Sequence, residues 1–326
     1  MDTRTLGRTG RTVSVVGLGT WQLGADWGEV EPADALNVLD AAVEAGVTFF
    51  DTADVYGDGR SERLIGRFLR ERPDAALTVA TKMGRRVPLD PAAYQLDNFR
   101  AWTDRSRANL GVDTLDLVQL HCPPTAVFGT DAVFDALDTL VEEKRVRAYG
   151  VSVETCAEAL EAIARPGVAT VQLILNMVRL KPLDEVLPAA AAAGVGIIAR
   201  VPLASGLLSG RYDEHTTFAP DDHRSYNRHG EAFDVGETFS GVPFEVGLAA
   251  VARLAAASPG PTLAQVALRW IIDQPGVSVV IPGARNPDQA AANAAAATLP
   301  PVTDAFRDVV AGTYAELVAP LVHHRW

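Results

Sequence analysis

Short apolar runs alternate with amphipathic stretches along nearly the whole chain. Each run has the length of a strand, and each is followed by a loop and then by residues with the apolar spacing of a helix. The runs are 13–16, 47–50, 77–81, 115–120, 146–151, 170–173, 195–201 and 277–281. The helical stretches are 33–44, 61–70, 91–110, 132–143, 155–164, 183–193, 243–257 and 287–297.

This alternation predicts an α/β fold in which helices connect the strands of a parallel sheet. No linker rich in proline, glycine or serine divides the 326 residues, so we expect one domain spanning 1–326. Eight strand and helix units favour a closed (β/α)8 TIM barrel, with an open doubly wound sheet as the alternative.

Three segments lie outside the repeat. Residues 1–12 predict a β-hairpin that turns at Thr9-Gly10 and plugs one mouth of the barrel. Residues 211–241 are polar and too long for a plain connection, so they form either a flexible excursion or, as we expect, a long loop over the active site. Residues 302–321 predict an extra amphipathic helix at the C-terminal end.

Composition and charge narrow the classes of function. The chain has 29 Lys and Arg against 41 Asp and Glu, and its net charge of -12 disfavours a nucleic acid or an anionic membrane as partner. Cys122 and Cys156 are too few for a disulfide framework, the first residues lack the apolar region of a signal peptide, and no apolar run is long enough for a membrane span. We therefore expect a cytoplasmic protein.

Residues able to transfer protons follow three of the apolar runs. Asp51, Lys82 and His121 come directly after their runs, and Tyr56 lies in the loop after Asp51. In a barrel these positions meet at the C-terminal face, where active sites lie. Each residue alone has an ordinary explanation as a turn cap, a packed ring or a core side chain, but the four together predict a catalytic set.

The chemistry of this set suits a carbonyl substrate. We expect the Lys82 ammonium to lower the pKa of the Tyr56 phenol, with Asp51 as counter-ion and His121 as hydrogen-bond partner of the substrate oxygen. Such a set protonates an oxygen but carries no hydride, so a redox cofactor must bind beside it.

A site for that cofactor follows the last apolar run. Asn286 is a helix N-cap and Pro287 the first helical residue, so the helix start favours an anion, and Arg285 offers a fork suited to a phosphate. An ordinary capped helix with a solvated arginine is the alternative. Residues 202–211, after the seventh run, include small residues through which backbone amides can approach a diphosphate. Since no segment contains G-x-G-x-x-G, a Rossmann domain is disfavoured.

Five motifs together resemble the aldo-keto reductase superfamily, over residues 6 to 293. They are 51–57 (DTADVYG), 81–82 (TK), 115–121 (LDLVQLH), 150–152 (GVS) and 281–285 (IPGAR). The resemblance implies a (β/α)8 barrel that binds NADP(H) in an extended form and reduces aldehydes or ketones. It also implies that Asp51, Tyr56, Lys82 and His121 are the catalytic tetrad, with Tyr56 as the acid.

The resemblance further indicates which residues contact the cofactor. Ser152 and Gln172 match positions that hold the nicotinamide carboxamide, whereas Arg285, with Gln289 and Asn293, matches the surroundings of the 2′-phosphate and adenine and favours NADP over NAD. The predicted cofactor-binding residues are Gly19, Thr20, Trp21, Asp51, Ser152, Gln172, Arg200, Pro202, Leu203, Ser205, Gly206, Leu208, Arg211, Gly283, Arg285, Gln289 and Asn293. Two positions depart from many members: Val153 replaces an asparagine, and Arg200 replaces an aromatic residue and is a candidate to reach the diphosphate.

The predicted substrate is a small, modestly apolar or aromatic carbonyl compound. Its candidate pocket walls are Trp21, Trp27, Tyr56, Met83 and Trp102, together with part of 211–241. No zinc-like spacing of histidines or cysteines occurs, so we expect no metal, and the pattern carries no prediction of oligomeric state.

Two alternative functions stay open. The same site would serve an NADP-dependent dehydrogenase acting on a sugar or a secondary alcohol. The same fold would also serve a nucleotide-sensing regulatory subunit whose turnover is incidental, although the complete tetrad argues against that function.

Overall fold

The strands of this computed structural model, which describes residues 1–24 and 30–326, form a hairpin and a curled parallel sheet. The hairpin strands are β1 (Thr3–Thr5) and β2 (Thr12–Ser14). The sheet strands are β3 (Leu18–Gly19), β4 (Phe49–Asp51), β5 (Thr78–Met83), β6 (Leu117–His121), β7 (Tyr149–Ser152), β8 (Val168–Ile174), β9 (Gly196–Arg200) and β10 (Val277–Val280).

The parallel sheet closes on itself. Each strand from β3 to β10 pairs with the next one along the chain. Parallel bridges between Val16 and Val280 and between Gly19 and Gly283 join the first strand to the last. This closure confirms the predicted (β/α)8 barrel and excludes the open sheet.

Helices connect the strands and surround the barrel. They are α1 (Pro32–Glu44), α2 (Arg60–Glu71), α3 (Leu96–Leu110), α4 (Asp131–Glu142), α5 (Cys156–Ile163), α6 (Val186–Ala193), α7 (His223–Tyr226), α8 (Phe244–Ala257), α9 (Leu263–Ile272), α10 (Pro287–Ala295), α11 (Asp304–Thr313) and α12 (Ala319–Val322). The predicted helix 91–110 begins only at Leu96, because a separate turn at Pro91–Ala93 precedes it. The sequence pattern missed α9, whose residues are mostly buried.

The hairpin confirms the predicted plug, with corrected bounds. It extends to Ser14 rather than ending at 12, so the run 13–16 is not the first barrel strand; that strand is β3. Leu6 and Val13 are fully buried at the N-terminal mouth. They pack in a cluster with Phe49, Ala80, Leu117, Ile198, Val279 and Ile281. Burial of Val13 against these inward side chains explains why its apolar run resembled a barrel strand.

The remaining predicted segments also form. Residues 302–321 contain α11, a π-helical turn at Tyr314–Val318 and α12, which confirms an extra C-terminal helix. Residues 211–241, the cover segment, contain α7 and two further short helical turns, Val235–Glu237 and Phe239–Gly241. No helix in the described ranges is long and apolar enough to span a membrane.

Candidate active site

The four predicted catalytic residues meet at the C-terminal face of the barrel. Lys82 Nζ, on β5, lies 2.5 Å from Asp51 Oδ1 at the end of β4 and 3.3 Å from Tyr56 Oη. The ammonium also donates to the carbonyl oxygen of Thr52 at 2.9 Å. Lys82 and Asp51 are almost fully buried, so the amine is fixed between the carboxylate and the phenol.

The turn after β4 determines where the Tyr56 ring lies. Gly57 follows with a φ of +56°, and a Cβ there would come within 2.1 Å of the carbonyl oxygen of Gly24. Glycine is therefore required for this close approach. On its other side the Tyr56 ring stacks on Trp21, with 6.1 Å between ring centroids.

The second oxygen of Asp51 accepts hydrogen bonds from two glutamines. Gln172 Nε2 lies 2.8 Å from Asp51 Oδ2, and Gln119 Nε2 lies 3.2 Å from it. Gln172 was predicted to hold a carboxamide, but its amide nitrogen contacts the tetrad here. Gln119 was missed, although it precedes His121 by two residues on a strand and so shares its face.

His121 completes the group as a neutral imidazole. Its ring lies edge-on to Tyr56, with 6.0 Å between centroids. Burial lowers the pKa of His121 well below its usual value, and the nearby positive charges of Arg85, Lys82 and Arg200 lower it further. A neutral ring at pH 7 donates a hydrogen bond without adding a charge.

Burial and charge act in opposite directions on the phenol. Burial raises the pKa of Tyr56 above its ordinary value, and the Lys82 ammonium lowers it by less. The net direction is opposite to the one predicted from the sequence, because the loss of solvent outweighs the amine. For Lys82, burial lowers the pKa, but Asp51 and Tyr56 offset this and raise it. Both groups are therefore protonated at neutral pH.

A cleft of about 710 Å³ runs from Tyr56 to the start of α10. Most of the predicted cofactor-binding residues border it. They are Gly19, Thr20, Trp21, Asp51, Gln172, Arg200, Pro202, Leu203, Ser205, Gly206, Arg211, Gly283, Arg285, Gln289 and Asn293. Tyr56 and His121 border its inner end. The barrel thus brings residues from six loops and strand ends to one groove.

Several of the residues predicted to bind cofactor or substrate do not border the cleft. Ser152 and Leu208 are buried and do not border the cleft. Met83 is fully buried, and Trp102 packs on α3 against Phe99 and Tyr94, so neither forms a wall of the cleft. Their apolar character reflects packing in the barrel shell rather than contact with a ligand. Trp27 lies outside the described residues.

The outer end of the cleft is a helix start. Asn286 Oδ1 accepts from the backbone amide of Gln289 at 2.9 Å, which is the predicted N-cap. The side chain of Gln289 in turn accepts from the amide of Arg285 at 2.8 Å. The exposed Arg285 thus stands beside the positive end of α10, an arrangement that favours an anion.

The cover segment contributes residues to the cleft that the sequence did not single out. Tyr212, Arg224, Tyr226, Phe233 and Glu237 border it. Phe233 lies edge-on to Trp21 at 5.9 Å and to Tyr226 at 6.2 Å between centroids. These rings form an aromatic wall next to Tyr56. In the sequence, only the length and polarity of 211–241 indicated that this segment borders the active site.

Arg200 is held by carboxylates at the inner end of the cleft. It forms ion pairs with Glu237 of the cover segment and, at 3.1 Å, with Glu154 after β7. Glu154 also pairs with Arg85 at 3.1 Å, and Arg85 Nε donates to the carbonyl oxygen of His121. Burial lowers the pKa of Arg200, but Glu237 and Glu154 more than offset this, so the guanidinium stays charged.

Neither thiol nor metal chemistry is assembled around this site. Burial raises the pKa of Cys122 to about 12, and its Sγ faces Ser152 Oγ at 3.4 Å. Within residues 1–24 and 30–326, no three His, Cys, Asp or Glu side chains are grouped so as to hold a metal ion.

Known proteins are similar to this chain over nearly its whole length. A family model described as the aldo/keto reductase family matches residues 15–311. The chain is 30% identical over 303 residues to a Bacillus subtilis protein, aldo-keto reductase YhdN, covering 89% of this chain and 86% of that one.

Solved structures of other proteins have the same fold as this chain. The glycerol dehydrogenase AKR11B4 from Gluconobacter oxydans superposes with a TM-score of 0.78 and 30% identity, over 97% of this chain and 96% of that one. An aldo/keto reductase from Klebsiella pneumoniae, solved in complex with NADP and acetate, superposes with a TM-score of 0.70 over 96% and 95% of the two chains. Its identity is 24%, so that likeness shows the fold alone.

Proposed function

The chain belongs to the aldo/keto reductase family, and from this premise we propose that it catalyses the NADPH-dependent reduction of an aldehyde or ketone to an alcohol. The observation that carries the proposal is the buried amine of Lys82 between Asp51 and the Tyr56 hydroxyl, at the inner end of the cleft. We further propose that the protein acts in the cytoplasm, where its two cysteines, both unpaired, stay reduced.

The residues that border the cleft fit an extended dinucleotide. The cleft of about 710 Å³ is within the usual range for a cofactor site and joins the tetrad to the helix start beside Arg285. Gly19 and Gly283 pair where the first and last strands of the barrel meet, and both border the cleft. Arg285 suits the additional phosphate of NADP, because a guanidinium binds phosphate through two parallel hydrogen bonds.

NADPH, when bound, supplies the hydride. The chain's own residues handle the proton and the charge. Tyr56, protonated because burial raises its pKa, donates its hydroxyl proton to the carbonyl oxygen as that oxygen becomes an alkoxide. Lys82 stabilises the resulting phenolate through its contact at 3.3 Å, and Asp51 balances the ammonium. Neutral His121 donates a hydrogen bond that orients the carbonyl oxygen.

Oxidation of an alcohol is the second candidate. A structural relative at 30% identity carries the name glycerol dehydrogenase, and the same residues run the reverse reaction once Tyr56 is ionised. In that direction the phenolate accepts the alcohol proton, so the rate rises with pH, whereas reduction needs the protonated phenol.

A carbonyl panel assayed in parallel with NADPH and NADH tests the proposal. Oxidation of the cofactor is followed at 340 nm with aliphatic, aromatic and hydroxylated aldehydes and ketones, and oxidation of matching alcohols is measured with NADP+. We expect turnover of several aldehydes and a higher kcat/KM with NADPH than with NADH. NADPH binding without turnover of any carbonyl or alcohol contradicts the proposal and favours a regulatory, nucleotide-sensing subunit.

A further inference from the structure

Arg85 is a cation at the tetrad end of the cleft that the catalytic set does not use. It borders the cleft together with Tyr56 and His121, and its side chain is 21% exposed. Its Nε donates to the carbonyl oxygen of His121 at 3.1 Å, and one terminal nitrogen, Nη2, donates to Glu154 Oε1 at 3.1 Å. The other terminal nitrogen, Nη1, has no hydrogen-bond partner among the described residues and is not sealed from solvent. Nη1 is thus available to a ligand.

The turn after β5 determines where Arg85 lies. Gly84 has a φ of +110°, and a Cβ there would come within 3.0 Å of the Tyr94 ring. Residues with a side chain rarely adopt this conformation, so the turn requires glycine. The hydrogen bonds of Nε and Nη2 then hold the guanidinium beside the backbone of His121. Because Arg85 is already ordered, a ligand at Nη1 pays little for fixing the side chain.

Charge is distributed unevenly between the two arginines at the tetrad end. Arg200 forms ion pairs with Glu237 and with Glu154. Within the described ranges Arg85 pairs only with Glu154, and it shares that carboxylate with Arg200. Arg85 therefore keeps more of its positive charge uncompensated than Arg200 does. An anionic group of a ligand at Nη1 supplies the missing complement.

The electrostatic environment of His121 agrees with this assignment. Burial lowers the pKa of His121 most, and among the neighbouring charges Arg85 lowers it most. Lys82 and Arg200 act in the same direction. The potential at the imidazole is therefore positive. Under the proposed function this ring faces the substrate carbonyl, so a positive potential there favours an anionic substrate.

We propose that Arg85 is a substrate-specificity residue and that the protein prefers aldehydes or ketones that carry a carboxylate. The carboxylate accepts a charge-assisted hydrogen bond from Nη1 while the carbonyl oxygen lies at Tyr56 and His121. One negative charge suffices, because Glu154 already takes part of the Arg85 charge. This inference rests on the proposed function, since it assumes carbonyl reduction at the tetrad.

Pairs of substrates of nearly equal size, one with a carboxylate and one with a carboxamide, test the assignment. The meta and para isomers of carboxybenzaldehyde are compared with the same isomers of formylbenzamide, and pyruvate is compared with pyruvamide. The aromatic pairs suit the wall that Trp21, Tyr226 and Phe233 form along the cleft. We expect the wild type to have a kcat/KM about tenfold or more higher for the carboxylate in at least one pair.

Arg85→Gln removes the charge and should reduce this preference to about threefold or less. Its kcat/KM for the carboxamide should stay within about threefold of the wild-type value, because the tetrad is unchanged. The loss for the carboxylate should lie mainly in KM, because the hydrogen bond forms in the ground state as well as in the transition state. A residue with a purely structural role would instead lower kcat/KM for both members of a pair.

Two further variants keep the test decisive. Arg86→Gln is the matched control, because this neighbouring arginine has the same charge, pairs with Asp58 and does not border the cleft. It should retain the preference. If Arg85→Gln does not fold, Arg85→Lys keeps a charge beside Glu154 but has no second terminal nitrogen, and it should lower the preference several-fold.

The possible failures are distinguishable. Equal kcat/KM within every pair, a preference that persists without the Arg85 guanidinium, or an equal loss of preference in Arg86→Gln overturns the Arg85 assignment and leaves the proposed function intact. Absence of turnover with every carbonyl compound and alcohol overturns the proposed function itself, and the Arg85 assignment with it.

Discussion

Replacing Asp54 by Asn should change how the stability of the protein depends on pH. Asp54 is fully buried in the turn between Asp51 and Tyr56. Its backbone amide donates to the carbonyl oxygen of Lys82 at 3.1 Å. The amide of Val55 lies near its carboxyl group, but no hydrogen bond of ordinary geometry to either oxygen forms within the described ranges. The ionised form is therefore poorly stabilised in the fold.

The magnitude follows from the pKa. Burial raises the pKa of Asp54 from 3.8 to about 7, and the neighbouring carboxylate of Glu62 adds to the rise. The folded protein thus keeps a proton that the unfolded chain releases between about pH 4 and pH 7, so stability falls as the pH rises through that window. The whole effect is roughly 4 kcal/mol, of which roughly 2.5 kcal/mol falls between pH 5 and pH 8.

Urea unfolding of the wild type and of Asp54→Asn at pH 5, 6, 7 and 8 measures this effect. The amide does not ionise, so the variant should gain stability relative to the wild type by roughly 2.5 kcal/mol across the series. The control is Asp74→Asn, which removes a carboxylate that is 75% exposed and should leave the difference constant. A constant difference for Asp54→Asn as well would refute the reasoning that this carboxyl group is buried without adequate partners.

Three further predictions concern the active site. Lys82→Met should lower kcat for carbonyl reduction by roughly 100-fold or more and destabilise the fold by roughly 3–5 kcal/mol, since Asp51 is left buried without its counter-ion; unchanged steady-state kinetics would contradict this. Arg285→Ala should raise the Kd for NADPH by about tenfold with little effect on the Kd for NADH, as measured by fluorescence titration. An equal loss of affinity for both cofactors would contradict the proposal that Arg285 binds the 2′-phosphate. Because burial raises the pKa of Tyr56, kcat for reduction should stay flat through neutral pH and fall only in the alkaline range, and a midpoint near pH 7 would argue against Tyr56 as the acid.

The fold was largely predictable because its elements follow simple periodicities. Alternating apolar runs and helical stretches located seven of the eight strands of the barrel, with ends shifted by at most three residues. The first strand was misplaced because Val13 is buried by the hairpin plug, and burial of one residue looks the same in a hairpin as in a barrel. Helix α9 was missed because most residues of Leu263–Ile272 are apolar and buried, and a short, nearly continuous apolar stretch does not distinguish a helix from a strand.

The site was predictable where it lies at strand ends. Asp51, Lys82 and His121 follow apolar runs, and parallel strands bring their ends to one face. The ion pair between Arg200 and Glu237 was not predictable, because Glu237 lies in an irregular segment that has no periodicity from which to locate it. The pKa of Tyr56 was also mispredicted, since charge at Lys82 is visible in the sequence but the extent of burial is not.

Tyr56→Phe tests the central claim most directly, because it removes one hydroxyl group and retains the ring that stacks on Trp21. Stopped-flow measurement follows a single turnover of bound NADPH with an aldehyde that the wild type reduces, and it gives the rate of the chemical step. Titration gives the Kd for NADPH. We expect the rate to fall by roughly 100- to 10,000-fold while the Kd changes less than about twofold. A rate close to that of the wild type would contradict the account, because the proton would then come from another group.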